Sequence, residues 1–241
     1  MLAILQARMS SSRLPGKVMR PILGQPMIGR QIERLRRARR LDRLVLATST
    51  GAEDDVLAAH VAGLGVPVFR GSLDDVMARF QGALAAHGPA PTFLRLTGDC
   101  PLADPDVIDR VIDHHVAGGY DYTYNTADGS FPKGLDVEVI QRAAFDRACA
   151  AASTPYEHEH VTPYLYGHPE LFRIGRVGQS PPQPWRWTVD TPEDFAFVTA
   201  VYEALHPDKP DFRMADILAW QAVHPDLVLV NSGPPPAAVI P

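Results

Sequence analysis

The stretch LAILQARMSSSRLPGK, Leu2 to Lys17, begins apolar and turns cationic within seven residues. Leu2–Ala7 reads as a strand of nearly continuous apolar character. The loop behind it carries Arg8, the serines Ser10, Ser11 and Ser12, Arg13, the rigid pair Pro15-Gly16, and Lys17. Three fixed cations, several hydroxyls and open backbone N–H groups at a strand end suit a polyanion. A surface loop with solvated arginines is the alternative reading of the same residues. The loop is not a P-loop: Ser11 stands where that motif has its first glycine, and Val18 follows Lys17 in place of Ser or Thr. No G-x-G-x-x-G follows the strand either.

Outward from this loop the chain alternates strand and helix. A helical pattern opens at Pro26 with Met27, Ile28, Ile32 and Leu35. Leu44–Ser49 reads as a strand ending in Thr48 and Ser49, and Glu53–Leu64 as a helix. Val66–Phe69 is a short strand. Ser72 is expected to cap a helix running to about His87, with Asp74 and Asp75 in its first turn. Thr92–Thr97 is a strand closed by Gly98-Asp99-Cys100-Pro101-Leu102, and Asp104 caps a helix that starts at Pro105. Strand–helix alternation with short connections predicts right-handed βαβ units and an α/β fold with a mostly parallel sheet flanked by helices. Ligands on such sheets bind beyond the carboxyl ends of the strands. That rule gathers Arg8, Lys17, Thr48, Ser49, Ser72 and Asp99 on one rim.

The second half changes pattern. Tyr120–Tyr124 reads as a strand, and Leu135–Ile140 alternates, with Asp136 and Glu138 on its polar face. Ala143–Ala151 is helical. Tyr156–Tyr166 reads as one polar helix containing Glu157, His158, Glu159 and His160. His158 and His160 are two apart and point to opposite sides of a helix, which argues against a shared metal; a cleft contact or a polar subunit face remains open for this segment. Phe172–Val177 and Trp185–Val189 are strand candidates, with Trp185 and Trp187 expected in the core. Thr191 caps a helix from Pro192 to about Leu205, and a last helix spans Met214–Val223. A Pro-rich tail, 226–241, is expected to be exposed and partly disordered.

Composition narrows the function classes. The chain of 241 residues carries a net charge of −5. The first forty residues hold ten Lys/Arg and one acid, so the head is +9 and the remainder −14. Nucleic-acid binding is not expected, because the acidic remainder would repel a phosphate backbone. Arg34, Arg36, Arg37, Arg39 and Arg40 are expected to favour a helix end and solvate one face. Cys100 and Cys149 make neither a zinc pattern nor a disulfide framework. No apolar run approaches the roughly 20 residues of a membrane span, and no secretory pattern opens the chain, so a cytoplasmic location without membrane association is the expectation.

Two further motifs place carboxylates at strand ends: Asp99 in LTGDCPL and Asp190 in WTVDTPEDF. Each could serve as a turn or cap residue. Together they suit a hard cation such as Mg²⁺ shared with phosphate oxygens. LQARMSSSRLPGKVM, LTGDCPL and WTVDTPEDF resemble the cytidylyltransferase family that makes CMP-activated sugars, in particular the branch that includes spore coat polysaccharide biosynthesis protein F. GSLDDVMARF, FPKGLDVEVI and EHEHVTPYLY resemble segments of that branch. The resemblance runs from residue 2 to about 200. It implies a Rossmann-like nucleotidyltransferase fold in one domain, 1–225, with a small inserted acceptor and dimerisation region at about 125–185. It also implies a homodimer that transfers CMP from CTP to an acidic sugar or related acceptor, releasing pyrophosphate with Mg²⁺, in surface polysaccharide biosynthesis. By the same resemblance Arg8, Arg13, Lys17, Thr48, Ser49 and Asp99 belong to the nucleotide site, with Lys17, Arg8 and Asp99 catalytic; Ser12 of the hydroxyl-bearing loop and Ser72 of the same rim are assigned to it with them. Asp99 and Asp190 would hold the metal, and Asp136, Glu138 and His158 would meet the acceptor. A glycosyltransferase or other nucleotide-sugar enzyme on the same fold, or a non-catalytic nucleotide-binding subunit, are the rival readings.

Overall fold

A computed structural model describes residues 1–126, 129–183 and 185–226. Apart from Asp226, the expected Pro-rich tail lies outside the described residues. In chain order, β1 (Leu2–Gln6) is followed by a small hairpin, β2 (Pro21–Ile22) and β3 (Gln25–Pro26), and by α1 (Met27–Leu35). Then come β4 (Arg43–Ser49), α2 (Asp55–Gly63), β5 (Val68–Gly71), α3 (Val76–His87), β6 (Thr92–Thr97) and α4 (Pro105–Gly118). The second half adds β7 (Tyr122–Tyr124), β8 (Glu138–Gln141), α5 (Arg142–Ala151), α6 (Pro155–His160), α7 (Pro163–Gly167), β9 (Ile174–Arg176), α8 (Pro192–Leu205) and α9 (Met214–Ala222).

Seven strands form one sheet in the order β5-β4-β1-β6-β8-β7-β9. Every pairing is parallel except the two made by β8, which runs against both β6 and β7. This is the mostly parallel, mixed sheet the alternation predicts. The central strands are apolar on both faces because helices cover both. Ala3, Leu5, Leu46, Leu94 and Leu96 pack with residues of α1, α2, α4, α8 and α9. Leu2, Ile4, Val45, Ala47 and Phe93 pack on the other face with α3, α5 and α7. The segment 125–185 lends β8 and β9 to the same sheet and α5–α7 to the second layer. Among the described residues no helix is long and apolar enough to cross a membrane.

Several local expectations change. The cap of α3 is Asp75, whose carboxylate accepts from the Ala78 N–H, while Ser72 Oγ accepts from the Asp75 N–H one step earlier. The single polar helix over 156–166 is two helices. Val161 takes φ 71°, a left-handed value that a β-branched residue adopts only under constraint, and Thr162 starts α7. The alternating segment 135–140 becomes a strand only at Glu138, and Val137, Glu138, Val139 and Ile140 are all buried, so of its two acids Asp136 alone meets the cleft. Trp185–Val189 is not a strand; one bridge joins Arg186 to Lys133. Trp187 is fully buried with its indole N–H on Gln221, as expected of a core residue.

The arginine cluster after α1 is also more than a solvated helix end. Arg34 is buried, donates to the carbonyls of Ala103 and Phe212 at 2.7 and 3.0 Å, and lies over the Phe212 ring. Arg36, Arg37 and Arg39 reach Leu64 O, Pro210 O and Asp109 respectively. These bonds tie α1 to its neighbouring layers.

Candidate active site

The carboxyl ends of β1 and β6 and the segment before α8 enclose a cleft of about 580 Å³. Arg8, the three serines, Arg13 and Lys17 form one wall. Asp99, Thr188 and Asp190 form the side opposite, and Arg79, Arg95, Lys133, Asp136, Glu159 and His160 complete the lining.

The first loop is pinned where it leaves the sheet. The Met9 N–H donates to Asp54 Oδ1 at 2.6 Å, and Asp54 Oδ2 accepts from both the backbone N–H and the hydroxyl of Ser49. Asp54 is fully buried and therefore needs these partners. Gly16 takes φ 68° and its N–H returns to the Met9 carbonyl, closing the loop before the short 3₁₀ turn Lys17–Met19. A glycine relieves the strain of that left-handed value.

That closure aims Lys17 at two aspartates far away in sequence. Lys17 Nζ donates to the Val189 carbonyl at 2.6 Å and to Asp190 Oδ1 at 3.0 Å, and stands 3.8 Å from Asp99 Oδ2. Asp99 and Asp190 are brought side by side because the Val189 N–H donates to the Asp99 carbonyl at 2.8 Å and the Thr188 hydroxyl to the same oxygen at 3.2 Å. Gly98 makes the approach of β6 to β1 possible: a Cβ there would lie 2.6 Å from that of Ala7. Gly134 does the same for the neighbouring segment, with φ 109° and room for a Cβ only 2.6 Å from the Thr188 nitrogen.

Asp190 is further braced by Arg13 at 3.1 Å and by Arg186, which also spans to Asp194 at 3.2 Å. Asp194 is buried and accepts from the Asp190 and Thr191 N–H groups at 2.8 and 2.9 Å, closing the capping box of α8. Burial pushes the Asp190 carboxyl up, but Lys17, Arg186 and Arg13 outweigh it and hold it below the usual carboxylate range. Asp190 is therefore an anion at neutral pH. Burial also pushes the Asp136 carboxyl up, with Asp99 and Glu138 adding to it against Lys133.

Two carboxylates side by side, with open cleft and cationic loop in front, are an oxygen-only donor set. Such a set fits a hard divalent cation that keeps most of its sites for water and phosphate oxygens. Among the described residues no group of three or more metal-ligating side chains occurs; a two-carboxylate, phosphate-completed site does not require one.

The sequence-predicted residues divide. Arg8, Ser12, Arg13, Lys17, Asp99, Asp136 and Asp190 all line the cleft. Thr48 and Ser49 do not reach it. Both are fully buried, Thr48 sharing the parity of Leu46 toward α1 and α2, and Ser49 holding Asp54. Ser72 is exposed and engaged in the turn before α3. Glu138 is buried beneath the cleft, paired with Arg95. His158 faces Asp75, its Nδ1 3.0 Å from Oδ2, and it is Glu159 and His160 of the same helix that line the cleft. Sequence reasoning missed Arg79, Arg95, Lys133 and the anchor Asp54. MARF and FLRLT carried a visible signal, an arginine on an otherwise apolar stretch.

Known proteins are similar to this chain in sequence and fold. A family model described as cytidylyltransferase matches residues 2–205. The chain is 36% identical over 235 residues to the spore coat polysaccharide biosynthesis protein SpsF of Bacillus subtilis, covering 93% of this chain and 95% of that protein. It is 31% identical over 176 residues to a 3-deoxy-manno-octulosonate cytidylyltransferase of Anaeromyxobacter dehalogenans, covering 68% of this chain and 72% of that one. A solved structure of a cytidylyltransferase from Leptospira borgpetersenii matches with a TM-score of 0.88 at 28% identity, over 94% of this chain and 95% of that chain.

Proposed function

The chain belongs to the cytidylyltransferase family, and from that premise we propose that it transfers CMP from CTP to an acidic sugar, with release of pyrophosphate, in the making of a surface polysaccharide. The relatives named above support the nucleotide and the class of acceptor; the observation that carries the reading for this chain is the convergence of Lys17, Asp99 and Asp190 at one end of the cleft.

The reaction is an in-line displacement at the α-phosphorus, in which catalysis is mostly positioning and charge stabilisation. Arg8, Arg13 and Lys17 neutralise the triphosphate and the departing pyrophosphate from the first loop. Ser10, Ser11 and Ser12 line the same wall and offer hydroxyl and backbone donors. Asp99 and Asp190 would hold a divalent cation, Mg²⁺ in the proposal, which when bound spreads the phosphate charge and makes an acceptor hydroxyl more acidic. Asp136, with its pKa raised by burial, stands in the same cleft where an acceptor hydroxyl must lose a proton. A cytoplasmic homodimer, with 125–185 as the acceptor and subunit-contact region, completes the proposal.

The test is pyrophosphate release from CTP with Mg²⁺ and a series of 2-keto-3-deoxy sugar acids, in the wild type and in Asp99→Asn and Lys17→Ala. Each variant is expected to lose about 10²–10³ in rate, by analogy with other charge-stabilising groups. Near-wild-type turnover in both would refute the site.

A further inference from the structure

Away from Lys17, the cleft lining includes another held cation, Arg95. Arg95 lies on β6, its side chain 13% exposed. Its Nε donates to Gln6 Oε1 at 3.0 Å, and Nη1 donates to Glu138 Oε2. Glu138 is itself held: its other oxygen accepts the Thr162 hydroxyl at 2.7 Å and the Tyr122 phenol. Side chains from β1, β8, β7 and the corner between α6 and α7 thus clamp one guanidinium from below. Glu138 keeps it charged despite burial, since the guanidinium pKa is raised.

A guanidinium carries five N–H donors, so the bonds to Gln6 and Glu138 leave donors over. Arg95 lines the cleft, and so do His160 and Arg8. The three share one space with Glu159, which stands 3.9 Å from Arg8: burial lowers the pKa of His160, Glu159 opposes this, and Arg95 and Arg8 add to the lowering. Arg13 and Lys17, by contrast, converge on Asp190. Arg95 is anchored on the other side, opposite Glu138 in the β6–β8 pairing, where the 125–185 segment joins the sheet. A planar, fixed, charged fork at the floor of a cleft matches a carboxylate in two-point geometry.

We propose that Arg95, with His160 beside it, receives the carboxylate of the acceptor and makes the enzyme select acidic acceptors over neutral ones. This rests on the cytidylyl-transfer reading. It gives Glu138 a part as the residue that positions Arg95 rather than one that meets the acceptor itself.

The test uses the full chain with CTP, Mg²⁺ and a panel of 2-keto-3-deoxy sugar acids and their methyl esters, reading pyrophosphate, with CTP affinity measured separately by calorimetry. Arg95→Lys keeps the charge and the Glu138 pairing but loses the fork. The double variant Arg95→Gln with Glu138→Gln keeps a neutral hydrogen-bonded pair and guards against misfolding, checked by thermal melting. Both are expected to raise the acceptor KM about 10- to 100-fold and to narrow the acid-over-ester preference by the same factor. CTP affinity should stay within about twofold, as for independent sites. An unchanged acceptor KM in either folded variant, or CTP affinity that falls in step with it, would overturn the assignment. A wild-type enzyme that releases no pyrophosphate with any of the acids would instead refute the parent reading, before any variant is made.

Discussion

The Lys17 ammonium stands 3.0 Å from Asp190 Oδ1, joining residues 173 positions apart. It bridges the phosphate-facing loop at the start of the chain and the carboxylates near its end. Lys17→Met removes that bridge. Arg13 and Arg186 still face Asp190, so the fold should survive with only a modest fall in melting temperature. The rate with CTP should fall by about 10²–10³, most of it in kcat. Steady-state pyrophosphate kinetics beside a melting curve separate the two effects; equal losses of stability and activity would count against a role in phosphate handling.

Asp99→Asn and Asp190→Asn should both raise the Mg²⁺ needed for half-maximal activity, by about tenfold or more. They should differ in stability. Asp190 is the centre of an ion cluster with Lys17, Arg13 and Arg186, whereas Asp99 has Lys17 at 3.8 Å and the Cys100 thiol at 3.4 Å. Urea unfolding should therefore show a larger loss for Asp190→Asn. Titration of Mn²⁺ by paramagnetic resonance reads the metal directly, and unaltered binding in both variants would remove these residues from the metal site.

Thr191→Ala and Asp194→Ala probe the same helix start in different ways. Losing the Thr191 cap should cost about 1 kcal/mol and leave kcat nearly unchanged. Asp194 is buried against Arg186 and two backbone N–H groups, so removing it should cost about 3 kcal/mol. It should also lower kcat, because Arg186 loses its second partner and Asp190 its backbone register. Urea midpoints and turnover measured together check both halves.

His115 gives a pH dependence with a definite sign. It is buried, with Nδ1 2.9 Å from the Thr123 hydroxyl, and burial lowers its pKa to about 4. Between about pH 4 and 6.5 the unfolded chain binds a proton here and the folded chain does not. Stability is therefore complete above pH 6.5 and falls as the pH drops through that window, by about 3 kcal/mol for this group. His160 and His206 are also lowered and add to the slope. Unfolding midpoints at pH 7.5 and 5.0 should differ less in His115→Gln than in the wild type.

Much of this was legible in the sequence, and the exceptions have physical causes. The parallel sheet announced itself because buried parallel strands are unbroken apolar runs between helical periods. The shared cleft position of Asp99 and Asp190 was legible because one follows a strand end and the other precedes a capped helix start, and that of Lys17 because it lies in the loop behind the first strand. Thr48 and Ser49 occupy a strand end too, but whether a side chain there faces ligand or core depends on sheet parity and on what packs above. Ser49 turned out to serve Asp54, a partner found through the fold. Glu138 looked like a polar-face residue because alternation implies one wet face; α7 and the α6–α7 corner cover that face, and the carboxylate is spent on Arg95. The break at Val161 and Thr162 had a local sign in Pro163, which cannot continue a helix and instead opens α7.

The most direct measurement of the central claim is phosphorus NMR of the reaction of CTP, Mg²⁺ and a 2-keto-3-deoxy sugar acid with the wild-type protein. The account predicts that the CTP signals give way to inorganic pyrophosphate and a single CMP phosphodiester joined to the acid, with ATP, GTP and UTP far slower. A nucleoside diphosphate product without pyrophosphate, or CTP bound and left intact across the acids, would contradict it.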